Sequence, residues 1–245
     1  MYYLIYYGSL IIIVPGLIFA IIAQISIKLS YAKYSKIQSK IGMSASEVSK
    51  NLLKNYGCNG VVVTRISGNL TDNYNPSNDV LSLSDTVYDS QSIGAIGVAA
   101  HECGHACQQH ENSVMLNLRK ILVPITNFGS RLAVPVVVVG LILELLLGAS
   151  QTNNLGSLII AIGCLMYSLS TIFALVTLPV EFNASHRALR MLKEQNVLEK
   201  EELRGARSVL TAAAMTYVAS LVVSLLYLLR FLLIVASVRG KNRRD

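Results

Sequence analysis

Hydrophobic and polar positions fall into long blocks along the chain instead of alternating residue by residue. Residues 2–27 contain no charge. A bilayer core takes about 20 apolar residues to cross, so this block predicts a first membrane helix. Tyr2, Tyr3, Tyr6 and Tyr7 would stand at one interface, where Tyr is favoured. Residues 132–148 form the core of a second span, with Arg131 at its start and Glu144 inside it. Residues 155–180 form a third span without a charge, and residues 210–238 a fourth, broken by Arg230. Residues 28–120 and 181–208 are polar enough to live in water, and residues 150–154 make a short uncharged turn. The alternation in Val80-Leu81-Ser82-Leu83, after a turn-forming run of Asn, Pro, Ser and Asp, reads as a short strand. Residues 61–66 are a candidate partner for it.

Composition sharpens this picture. Hydrophobic residues make up 53% of the 245 and charged residues only 14%, against about 25% charged in soluble domains. This excludes a disordered chain and does not fit an ordinary soluble globule. The net charge of +7 raises the question of nucleic acid, but its placement answers it. Residues 28–120 hold nine basic and seven acidic side chains, and residues 181–208 hold six and five. By the positive-inside rule both stretches face the cytosol and the 150–154 turn faces out, so the charge marks topology and no nucleic-acid partner is expected. Lys28, Lys33, Lys36 and Lys40 follow the first apolar block instead of preceding it, the reverse of a cleavable signal, so the block reads as a retained anchor. The basic tail Arg239, Lys241, Arg243 and Arg244 conflicts with the rule if residues 210–238 span. The alternative is that residues 210–220 form a buried helix of the aqueous part.

The chemistry concentrates at His101-Glu102-Cys103-Gly104-His105, which reads H-E-x-x-H and uses two of the chain's four histidines. On a helix, positions i and i+4 share a face, so both imidazoles can reach one ion. Two His nitrogens, a carboxylate and an open position suit Zn²⁺, and Glu102 is placed to take a proton from the water such a metal activates. The helix is rich in small residues (Gly94, Gly97, Ala100, Gly104). Glycine costs about 1 kcal/mol per residue in a helix, which implies that a neighbour approaches closely.

A third ligand must come from elsewhere. His110 lies beyond reach on the same helix, and Glu144 lies inside a span. Glu181 is the better candidate: it follows Pro179, which can open a helix, and has the small Ala184 and Ser185 beside it. A carboxylate favoured by a helix dipole alone is the other explanation of Glu181. Two spans separate His105 from Glu181, which returns the chain to the same side of the membrane.

These residues also carry a resemblance. Residues 65–76, 81–84, 99–108, 177–188 and 213–219 resemble, in that order, the YugP-type bacterial membrane zinc metallopeptidases over nearly the whole chain. The site is similar to that of the HtpX-type gluzincin membrane proteases. The resemblance implies that His101, His105 and Glu181 bind one Zn²⁺ per chain and that Glu102 is the general base. It also implies that Ser185 stands where relatives carry Asp, and that Asn73 and His186 depart from the family pattern. An edge strand aligns an extended substrate in peptidases of this kind, a role Val80, Leu81, Ser82 and Leu83 can fill if they are not simply an ordinary sheet strand. His186 and Tyr217 are candidates to stabilise the oxyanion. Asp72 either orients a ligand histidine or caps a turn. The four scattered cysteines are expected to stay reduced in the cytosol.

The expectation is therefore a mainly α membrane protein with about four membrane helices and a zincin-like α+β cytosolic catalytic domain containing a small sheet. Residues 1–27 form an anchor, 28–120 a first catalytic segment, 121–180 a membrane hairpin, 181–208 a second catalytic segment, and 209–245 a last membrane helix with its tail. The expected function is that of a multi-pass cell-membrane zinc endopeptidase, facing the cytosol, acting on membrane or membrane-proximal proteins. An inert membrane metal-binding scaffold is one alternative. A site-2-type intramembrane protease is another, but no Asp occurs between Asp89 and Asp245 to serve as its later ligand.

Overall fold

The computed structural model describes residue 8 and residues 10–147 and 155–241. The tyrosines at positions 2, 3, 6 and 7, the 150–154 turn, and Arg243 and Arg244 lie outside the described residues. The described chain is mainly helical: α1 (Leu10–Tyr34), α2 (Ala45–Asn55), β1 (Val62–Ile66), β2 (Asn73–Asn75), β3 (Val80–Ser84), α3 (Asp85–Tyr88), α4 (Ile93–His110), α5 (Val114–Leu147), α6 (Leu155–Glu194) and α7 (Lys200–Lys241). It divides into two compact units. One comprises residues 22–117 and 178–217, and the other residues 1–21, 118–177 and 218–245.

The first unit holds the sheet and α4. Its α2 begins at a reciprocal cap, in which the Glu47 backbone N–H donates to Ser44 Oγ and the Ser44 N–H to the Glu47 carboxylate. Two otherwise orphaned donors are thereby satisfied. Val48, Leu52 and Leu53 of α2 are buried together with Leu81 and Leu83 of β3, Ile96, Ala99 and Ala100 of α4, and Met191 and Leu192 of α6. The strand order is β1-β3-β2, with β1 parallel and β2 antiparallel to β3. Of residues 61–66, Val62–Ile66 do pair with Val80–Ser84, while Val61 stands just before the strand. The expectation that Val80, Leu81, Ser82 and Leu83 offer a free edge to substrate is corrected here. β3 is the central strand, and Val80, Leu81 and Ser82 are paired on both sides. Its period-2 pattern reflects burial of Leu81 and Leu83, and alternation cannot tell a central strand from an edge.

The glycines of α4 do mark close approaches. A β-carbon on Gly94 would stand 3.1 Å from the Tyr34 and Ser35 backbone, and one on Gly97 3.3 Å from Ala206 Cβ. Ser92 caps the helix, its Oγ accepting from the Ala95 N–H.

The second unit is built from long apolar helices. Within it α5 and α6 pack through small residues: β-carbons on Gly140 and Gly163 would come within about 3 Å of backbone atoms on the facing helix. Val137, Ile160, Cys164 and Phe231 form a small core, and the Thr171 and Ser224 hydroxyls meet at 2.7 Å. Many large apolar side chains on α1, α5 and α6 remain exposed, a surface suited to lipid rather than water. Three helices, α1, α6 and residues 200–233 of α7, are long and apolar enough to cross a membrane. In α5, which contains Pro124 and Pro135, residues 114–127 and 131–143 pass that test together but are bent by 41°.

Pro179 does not open a helix. It lies inside the 40-residue α6, so Glu181 is interior and gains nothing from a helix start. An interior Pro costs about 3 kcal/mol. Beyond it, Val180, Ala184, Ala188, Met191 and Leu192 are all buried, and that packing holds the helix continuous. Likewise α7 is one helix. Val209 and Leu210 are buried in the first unit's core, and the apolar block resumes in the other unit from Val218.

Candidate metal centre

Helical spacing on α4 sets His101 and His105 one turn apart, with ring centroids 4.8 Å apart and planes at 84°. The opposite side of the centre comes from α6. A β-carbon on Gly104 would meet the Ala184 carbonyl oxygen at 2.6 Å, so only glycine at this point lets the two backbones come so near. Glu181, one helical turn before Ala184, thereby reaches across. Its Oε2 lies 3.2 Å from His101 Nε2 and 3.5 Å from His105 Nε2. All three ligand atoms fall within 4.8 Å of one another.

This donor set fits zinc. With bonds of about 2.0–2.1 Å and tetrahedral angles, neighbouring ligand atoms stand about 3.3 Å apart. Glu181 is only 1% exposed. A carboxylate that deep costs several kcal/mol unless it is compensated, and a cation held between it and the two imidazoles would provide that compensation.

Around these three atoms the polar groups are matched. Ser185 Oγ lies 3.1 Å from His101 Nδ1. His105 Nδ1 lies 3.0 Å from Gln108 Oε1. Gln108, itself 1% exposed, donates from Nε2 to the Val180 carbonyl and to Asn183 Oδ1, both at 2.9 Å. Asn183 Oδ1 also accepts from Arg187 Nε at 2.8 Å, and the Arg187 guanidinium grips both oxygens of Glu111 at 2.6 Å. The Arg187 hydrogen bonds outweigh desolvation and hold the Glu111 carboxyl below its ordinary range. Sequence reasoning missed Gln108, Asn183, Arg187 and Glu111. The signal for Gln108 was its i+3 spacing from His105, which puts both on one helix face, but the residue reads as part of a polar helix exit.

The other expected site residues distribute unevenly. Glu102 is half-buried on α4 between the two histidines. Asp72 accepts from the Ser84 N–H and hydroxyl at 2.8 and 2.9 Å, so it ties down the end of β3 instead of orienting a ligand histidine. Burial pushes its carboxyl up, the Ser84 bonds oppose this, and the Glu102 charge adds to the rise. His186 is exposed, with Nε2 3.2 Å from Arg190 Nη2. Five residues on from Glu181, it lies about 140° around the helix, off the face that carries the centre. Tyr217 is half-buried on α7 in the same compact unit as the centre. His110 Nε2 stands 3.6 Å from Asp79 Oδ1. All four cysteines are free and buried. Cys58 and Cys107 sulfurs lie 3.8 Å apart, and burial pushes the Cys103 thiol up to about 12, which makes it unreactive.

Comparison with known proteins points to zinc chemistry. A family profile described as "Putative neutral zinc metallopeptidase" matches residues 9–236. The chain is 40% identical over 220 residues to a Bacillus subtilis (strain 168) protein named "Putative membrane protease YugP", covering 90% of this chain and 93% of that one. No solved structure matches. The profile runs through α4 and α6 alike, so both halves of the His101, His105 and Glu181 cluster fall inside it, and the chain belongs to that zinc metallopeptidase family.

Proposed function

We propose that this protein is a multi-pass membrane zinc endopeptidase of the gluzincin type. In this reading its zincin-like catalytic domain is assembled from the segments around α4 and residues 181–208 and faces the cytosol. Its substrates are membrane or membrane-proximal proteins. One observation carries the reading: two His nitrogens and a buried carboxylate oxygen, from helices distant in sequence, converge within 4.8 Å. The orientation rests on the positive charge of residues 28–120 and the positive-inside rule. With α5 counted as one bent span, the helices reach four crossings.

His101, His105 and Glu181 would hold one zinc per chain. When bound, the ion supplies a Lewis acid that polarises the scissile carbonyl and brings the pKa of water toward neutrality. Glu102 accepts a proton from the attacking water as its oxygen bonds to the carbonyl carbon, and passes that proton to the amine nitrogen as the C–N bond breaks. Ser185 holds His101 through Nδ1, which leaves Nε2 to face Glu181. Tyr217 is the phenol assigned to the developing oxyanion, since His186 lies on another face of α6. Glu102 and the histidines sit on a helix packed against α2 and the sheet, which favours a site in an aqueous domain over a site-2-type intramembrane one.

Purified full-length protein in detergent, assayed for zinc content and for cleavage of casein and of itself, tests this reading. Glu102→Gln is expected to keep about one zinc per chain and lose cleavage. Unchanged cleavage by that variant defeats the mechanism. Zinc uptake by a wild type that cleaves nothing favours an inert metal-binding scaffold.

A further inference from the structure

We infer that Gln108 is a positioning residue for the metal centre: it fixes the ring and proton of His105 and ties α4 to α6 on both sides of Glu181. The inference rests on the zinc reading above and extends it to a residue outside the ligand set. Its basis is that the direction of every hydrogen bond in the network is forced. The Val180 carbonyl can only accept, so the Gln108 Nε2 group at 2.9 Å from it must be the amide nitrogen. Gln108 Oε1 therefore faces His105 Nδ1 at 3.0 Å, and that nitrogen must carry the proton. The lone pair is left on Nε2, the atom that faces Glu181 Oε2.

The second Gln108 donor bond is fixed as independently. Arg187 can only donate, so Asn183 must present Oδ1 to Arg187 Nε. The same Oδ1 then receives Gln108 Nε2. Arg187 is itself held by both oxygens of Glu111, the residue that ends α4. The chain from Glu111 through Arg187 and Asn183 to Gln108 thus has obligate donors and acceptors at its branch points and admits one amide orientation. Val180 and Asn183 bracket Glu181 on α6, so the amide that orients one ligand also anchors the backbone that carries another. Gln108 is 1% exposed and its bond to the Val180 carbonyl is buried, so water does not compete for that bond, while Asn183 lies at the exposed end of the network. Groups that hold the far nitrogen of a ligand histidine change metal affinity by about 10–100-fold.

The test is zinc affinity of the full-length protein in detergent, by competition with a chromophoric chelator, for wild type, Gln108→Met and Gln108→Glu. Thermal melting of the zinc-free forms serves as the fold control. Methionine keeps the length of the side chain and removes both functions. Glutamate keeps an oxygen acceptor for His105 and loses the donors. The expected result is a fall of about 10–100-fold for Gln108→Met and a smaller fall for Gln108→Glu, which keeps the acceptor for His105 but leaves the Val180 carbonyl and Asn183 Oδ1 without their donor, a partial rescue that loss of packing alone would not produce. Binding by Gln108→Met within twofold of wild type overturns the inference. So does an equal loss in both variants when their zinc-free forms melt like wild type. Should Gln108→Met fail to fold, Gln108→Glu alone decides, since a folded Gln108→Glu that binds zinc like wild type overturns the tie to α6 and one that loses about 100-fold overturns the hold on His105. A wild type that takes up no zinc defeats the functional reading itself, whereas variants equal to a zinc-binding wild type defeat only this step.

Discussion

Gly104 of α4 lies so near Ala184 of α6 that a β-carbon at position 104 would sit 2.6 Å from the Ala184 carbonyl oxygen. The contact is backbone against side-chain position, so nothing flexible can yield. Gly104→Ala is expected to push the helices apart and withdraw Glu181 from the histidines. Overpacking of this kind costs about 1–3 kcal/mol, or about 2–4 °C of melting temperature per kcal/mol at this size. Gly97→Ala is the comparison, since its β-carbon meets the Ala206 methyl at 3.3 Å, a contact that a small shift relieves. Melting and zinc competition on both variants should show a large loss for position 104 and a small one for 97. Equal losses would remove the special role of the Gly104 contact.

Ser185 faces the far nitrogen of His101 as a neutral hydroxyl. Ser185→Ala should lower zinc affinity by about 10-fold by freeing the ring. Ser185→Asp should raise it above wild type, because a carboxylate makes the imidazole a stronger donor to the metal. Both are read by chelator competition, and an Asp variant no tighter than Ala would show that His101 is held by packing instead.

The Glu111 and Arg187 pair makes acid stability testable. Its folded-state pKa is depressed, so its contribution is present above the unfolded value of about 4.3 and is lost as pH falls through the lower folded value. Glu111 is more than half exposed, so solvent screening keeps the contribution below about 1 kcal/mol. Glu111→Gln should therefore melt slightly below wild type at pH 7 and converge with it below about pH 4. A difference that persists undiminished into acid would mean that the Glu111 charge is not its source.

Tyr217 and His186 separate by position. Tyr217→Phe should lower kcat for peptide cleavage by about 10²-fold or more, as loss of an oxyanion donor does, with zinc content unchanged. His186→Ala should leave both near wild type, because its ring is exposed and meets Arg190. Steady-state kinetics on one peptide substrate settles the pair, and a reversed outcome would assign the oxyanion to the histidine.

Much of the architecture was legible because its causes are local. Runs of apolar residues long enough for a bilayer report membrane helices wherever they occur. The i, i+4 spacing of His101 and His105 places both rings on one face of any helix, and glycines in a helix report a close neighbour before that neighbour is known. What the linear pattern misjudged was equally physical. Pro179 disrupts a helix by local rules, yet the buried stripe from Val180 to Leu192 outweighs it. The alternation of Val80 to Leu83 shows which side chains are buried but not which strand lies in the middle of the sheet.

The sequence by itself determined the membrane character and the pair of imidazoles with Glu102 between them, since these follow from hydrophobic length and helical period, and its resemblance named Glu181 as the candidate completing ligand. Only the tertiary structure decided that Glu181 comes within 3.5 Å of both histidines and that Gln108, Asn183, Arg187 and Glu111 form the scaffold behind His105. It also moved Asp72 to Ser84 and His186 to the surface. The reason is that hydrogen-bond partners across α4 and α6 are set by the angle and spacing at which two helices pack, and a glycine facing a carbonyl fixes that spacing through contacts more than 70 residues apart in sequence.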